Sequence, residues 1–152
     1  MHAWAFGVLM ATGCTHSGLE PAETSALEGA ERVELLALHP YRDEAPGERF
    51  HGFRVLGRAS ARAAARSRIA ELVDRAASDA PGQMAKCFNP RHGVAVAGGG
   101  TEVDFVICFE CFQMKVVRGG SERTVAIAAE PEDELDRLLA QHGLPKHTEA
   151  ER

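Results

Sequence analysis

The alternation of apolar and polar positions is sharpest after residue 101. Val103, Phe105, Ile107 and Phe109 are apolar, while Glu102, Asp104 and Glu110 are polar. A period of two describes a strand with one face in the core. Val106, Phe112, Met114 and Val116 interrupt the polar face. One strand over residues 102–117 is therefore expected, with its far end covered on both sides. Val94-Ala95-Val96 precedes it across Ala97-Gly98-Gly99-Gly100-Thr101. Glycines reach the positive φ of a tight reversal, so the two segments predict an antiparallel hairpin. Apolar residues meet if Val94 faces Val103 and His92 faces Phe105. A slip by one residue would set Val94 against Asp104 and flip every side chain.

The same reading places the flanking elements. Residues 33–38, Val-Glu-Leu-Leu-Ala-Leu, form a short strand that ends at His39-Pro40. Residues 41–48 read as a loop, and residues 50–57 as a short strand or an ordered loop that packs Phe50, Phe53 and Leu56. Ser60 opens a helix to about Ala77, with Ala65, Ile69, Leu72, Val73 and Ala76 on one face and Arg58, Arg62 and Arg66 on another. Residues 124–128 predict a strand. Pro131 and three acidic residues start a last helix, whose inner face is Leu135, Leu138, Leu139 and His142. Gly143 and Pro145 end it. The order is β, loop, α, β, β, β, α. It predicts an α+β domain over residues 32–145: an antiparallel sheet of about four strands with two helices packed on one face.

Two segments lie outside that domain. Residues 1–14, MHAWAFGVLMATGC, are apolar and uncharged and end in small residues and a cysteine. They resemble a bacterial lipoprotein signal. Ala11-Thr12-Gly13-Cys14 matches the lipobox, with alanine in place of the usual leucine and no basic residue upstream. The resemblance implies a signal peptide over residues 1–13, lipidation of Cys14, and a location in the bacterial cell envelope with the membrane as partner. Residues 14–31 lack either periodicity and read as a polar linker, and residues 146–152 as a polar tail. The net charge of −5 gives no reason to propose nucleic acid as a partner. It leaves an unknown protein or small molecule.

Candidate chemistry gathers between residues 86 and 117, which hold Cys87, Cys108 and Cys111. Cys87 and His92 with the Cys108-x2-Cys111 pair could ligate tetrahedral zinc. In an exported chain, Cys87 could instead bridge to Cys108 or Cys111 and staple the hairpin, which needs no cofactor and is preferred over plain buried thiols. A redox CxxC and a Cys–His nucleophile complete the set. The former expects its first cysteine at a helix N-terminus, and the latter an orienting third group. Arg91-His92-Gly93 also reads as a turn, with Arg91 paired to Asp104 or Glu110 as a polar site. His39 and His51 read as loop residues. In a regular strand, Cys108 and Cys111 point to opposite faces, so Cys87 and Cys108 are expected to lie closer together.

The stretch Cys87-Phe88-Asn89-Pro90-Arg91-His92-Gly93, followed by Ile107-Cys108-Phe109-Glu110-Cys111, resembles a pattern in small uncharacterised bacterial proteins, many of them exported. The resemblance supports treating the stretch as a unit and implies no activity. Taken together, the chain is expected to be a lipid-anchored binding or structural module rather than an enzyme. The alternative is a small metal- or thiol-dependent enzyme.

Overall fold

The computed structural model describes residues 18–147. The residues read as a signal peptide, with Cys14, lie outside it. The elements in chain order are α1 (Pro21–Glu28), β1 (Ala30–Leu38), β2 (Arg49–Phe50), β3 (Phe53–Ser60), α2 (Ala63–Ser78), β4 (His92–Gly98), β5 (Thr101–Cys108), β6 (Gln113–Arg118), β7 (Ser121–Ala126) and α3 (Glu132–Gln141). One antiparallel sheet runs β2-β3-β1-β4-β5-β6-β7 and curls into a half-barrel. The expected four-strand sheet with two helices is therefore corrected to seven strands and three helices. Register shifts at Ala37/Leu38 and at Ala30/Arg32 accompany the curl, since an extra residue bends a strand.

Three local readings change with it. The strand expected over residues 102–117 is two strands, β5 and β6, with a turn between them. The 50–57 segment is a hairpin, β2 and β3, reversed at His51-Gly52. The linker holds a helix: Glu20 and Glu23 form a reciprocal capping box, Pro21 occupies the first turn, and Ala26 and Leu27 are buried. Polar composition hid α1 because only a narrow stripe of an eight-residue helix is apolar.

The β4–β5 register moves by two residues from the expected one. Val96 faces Val103, Val94 faces Phe105, and His92 faces Ile107. A shift of two preserves the faces, which is why the apolar matching still held. Tightness of the reversal sets the difference. Gly99 and Gly100, at φ +59° and +75°, make a two-residue turn, and the ladder continues to Gly98 and Thr101.

The sheet has apolar cover on both faces. One face carries Val33, Leu35, Val94, Val96, Val103, Phe105 and Ile107, beneath all three helices. Leu72 and Leu135 from α2 and α3 enter this core. Helix α1 crosses β4 at Gly98, where a Cβ would stand 2.5 Å from the Gly29 carbonyl oxygen. The other face packs Leu36, Leu38 and Val106 against Phe50 and Phe53 of the β2–β3 hairpin.

The expected arginine row also breaks up. Arg58 lies in β3 and pairs with Glu34 and Glu48, whereas Arg62 sits exposed at the start of α2.

Candidate functional site

Cys108 and Cys111 meet where β5 turns into β6. The chain reverses over residues 109–112, and the Phe112 N–H donates to the Phe109 carbonyl at 3.0 Å. Phe112 takes φ +55°, a left-handed conformation that a bulky side chain seldom adopts. A Cys108–Cys111 disulfide closes this turn with the Cα atoms 5.3 Å apart. The two cysteines are 1% and 0% exposed. This corrects the expected pairing through Cys87, which is a free, exposed thiol. The face argument failed because β5 ends at Cys108, so alternation does not extend to Cys111.

The loop before β4 is strapped over this turn. Ala85 N–H donates to the Cys111 carbonyl at 3.0 Å. Gln113 Nε2 donates to the carbonyls of Ala85 and of Cys87, the latter at 2.9 Å. Asn89 N–H reaches the Cys108 sulfur at 3.4 Å.

His92 does not join the cysteines. It shares a face with Ile107, its partner across the ladder, whereas the next residue, Cys108, points the other way. The buried ring donates from Nε2 to Asp136 Oδ1 at 2.8 Å and meets Phe109 edge-on. Lys146 pairs with the second oxygen of Asp136. Burial alone would raise the Asp136 carboxyl, but the His92 and Lys146 hydrogen bonds outweigh it and hold the group below the ordinary carboxylate range.

The expected zinc ligands therefore do not converge. Two sulfurs are bonded to each other, and the imidazole is engaged with Asp136 of α3. Among the described residues, no group of three His, Cys, Asp or Glu side chains is placed to hold a metal ion. Arg91 pairs with Glu110 at 2.9 Å, and Asp104 is elsewhere, so the expected polar trio divides.

Asp104 belongs to a site that the sequence reading missed. On the sheet face opposite the helices, Arg32, Glu34, Phe50, Arg58, Glu102 and Asp104 line a groove of ≈ 400 Å³. Its charges are matched. Arg32 reaches Glu102 at 3.0 Å, and Arg58 bridges Glu34 and Glu48. Burial works against the Arg58 charge, but the two carboxylates more than offset it and raise its pKa. His51 Nε2 lies 2.7 Å from Asp104 Oδ2 and ties the β2–β3 turn to β5. His51 itself takes φ +49°. The polar positions Glu102 and Asp104 of β5 were a visible signal. Their partners lie 53 and 70 residues away in the chain, which no local pattern reports.

A smaller cleft of ≈ 280 Å³ separates α1 from α2, lined by Leu27, Arg66 and Asp74 among others. Burial, then Glu28 and Asp79, raises the Asp74 carboxyl.

Comparison with family models, with curated proteins and with solved structures finds no match for this chain.

Proposed function

We propose that this chain is a lipid-anchored protein of the bacterial cell envelope and a non-enzymatic binding module. Its disulfide-stapled domain would hold a partner carrying both charge signs, a peptide or a small zwitterion, in the groove around Arg58 and Asp104. The observation that carries this reading is the buried Cys108–Cys111 disulfide. Such bonds persist in oxidising compartments and are rare in the cytosol. That agrees with the resemblance of residues 1–14 to a lipoprotein signal. The matched charges of the groove suit a ligand that replaces each ion pair with one of its own. Catalysis by a Cys–His pair gains no support, since the His92 ring is buried and engaged with Asp136.

With Cys14 as the anchor, three residues precede Gly18, so the folded domain starts within about 14 Å of chain from the lipid. Helix α1 then replaces the long tether that polar composition suggested.

Fractionation of cells expressing the wild type and Cys14→Ser tests the reading. The wild type should sit in the membrane fraction with Cys14 as its mature N-terminus. Cys14→Ser should appear as a soluble or unprocessed form. Unchanged fractionation, or a different mature N-terminus, would contradict the anchor.

A further inference from the structure

Cys87 occupies an unusual position relative to the disulfide. Ala85, two residues before it, is hydrogen-bonded to the Cys111 backbone, and Asn89, two residues after it, to the Cys108 sulfur. The Cys87 carbonyl is held by Gln113, the ladder partner of Cys108. An exposed thiol is thus fastened on both sides to a buried disulfide. Residues 79–91 form no helix or strand, so the loop can adjust without breaking a ladder.

We propose that Cys87 is the exchange port of the Cys108–Cys111 disulfide, making the three cysteines a thiol–disulfide relay. Its co-reactant is a low-molecular-weight disulfide. The inference goes beyond the binding reading and does not depend on the lipid anchor.

In the internal step, the Cys87 thiolate attacks the Cys111 sulfur. A Cys87–Cys111 bond forms, the Cys108–Cys111 bond breaks, and Cys108 leaves as the thiolate. The proton that Cys87 gave up is returned to Cys108, with no net oxidation. The Asn89 N–H at 3.4 Å selects Cys108 as the leaving sulfur, because a donated hydrogen bond stabilises the thiolate. Oxidation of the reduced protein runs the same path backwards. Cys87 attacks the external disulfide and releases one thiolate. Cys111 then displaces the second thiolate from Cys87. Finally, Cys108 attacks Cys111 and sets Cys87 free. Two electrons pass from the protein to the external disulfide. Cys108 and Cys111, 1% and 0% exposed, meet the external molecule only through Cys87.

The test uses the full chain with Cys14→Ser in every sample, so that Cys87, Cys108 and Cys111 are its only cysteines, reduced and desalted, with glutathione disulfide, acid quenching and peptide mapping over time. The wild type should show a transient glutathione adduct on Cys87, followed by the Cys108–Cys111 bond with Cys87 free. Cys87→Ser changes an exposed side chain, and it should form that bond about tenfold more slowly or worse for want of an accessible thiol. Cys108→Ser should accumulate Cys87–Cys111. Equal rates in the wild type and Cys87→Ser would overturn the proposal. So would a first adduct on Cys108 or Cys111, or free thiols at both Cys87 and Cys111 in Cys108→Ser. If Cys108→Ser does not fold, the Cys87→Ser rate decides alone.

Discussion

Strand β5 leaves one turn and enters another, and the two are built from different chemistry. At its start, Gly99 and Gly100 supply the positive φ values with no side chain to strain. At its end, Phe112 takes φ +55° with a full aromatic side chain, and the Cys108–Cys111 disulfide spans the reversal. The first turn is specified by its own residues. The second is held by a cross-link and by packing, with Phe109 buried in the core and the preceding loop strapped across it. A turn with weak local preference can therefore be as well defined as a glycine turn when covalent and tertiary restraints replace backbone freedom.

Substitutions at the two ends of β5 should separate these contributions. The largest effect is expected beside the glycine turn, at Gly98, where the obstacle is packing rather than φ. A Cβ there meets the backbone of Gly29 and Ala26, which cannot rotate away. Gly98→Ala should destabilise by about 3 kcal/mol in urea unfolding, the upper part of the usual range for overpacking. A neutral Gly98→Ala would mean that α1 does not dock on β4.

The staple comes next. Replacing both Cys108 and Cys111 with alanine should cost about 2 kcal/mol, the chain-entropy contribution expected for so short a closed loop. No change in unfolding midpoint would show that packing alone holds the turn.

Smaller effects are expected from exchanging backbone freedom. Gly100→Ala, at φ +75°, should destabilise by about 1 kcal/mol, because a Cβ disfavours the left-handed region. Phe112→Gly should destabilise by about 1 kcal/mol, since the ring is only 37% exposed and its lost packing exceeds the relief of left-handed strain. A neutral or stabilising Phe112→Gly would show that the backbone strain outweighs the packing of the ring. Arg62→Ala, exposed and away from both turns, serves as the reference and should stay within about 0.5 kcal/mol of wild type in the same urea titration.

The same contrast explains what could be read from the sequence. The glycine turn, the inward faces of β4 and β5, and the core stripes of α2 and α3 were legible, because each follows from local periodicity or from a residue with one backbone role. The register was two residues out because three consecutive glycines do not say which pair makes the turn. The β5–β6 turn was hidden because Phe-Glu-Cys-Phe lacks turn residues, and alternation of apolar positions resumes beyond it. Helix α1 was hidden because its burial depends on a glycine in a strand 70 residues away. The groove is assembled from β1 to β6, so only the individual charges were visible, without their partners.

The most direct test of the account is the state of Cys87, Cys108 and Cys111 in protein purified without reductant. Trypsin should release residues 87–91 and 92–115 as separate peptides, given Lys86, Arg91 and Lys115. After alkylation under native and then denaturing conditions, peptide 87–91 should carry one label. Peptide 92–115 should be unlabelled and lighter by its two thiol hydrogens. A cross-link between the two peptides, or alkylation of both Cys108 and Cys111, would contradict the stapled turn.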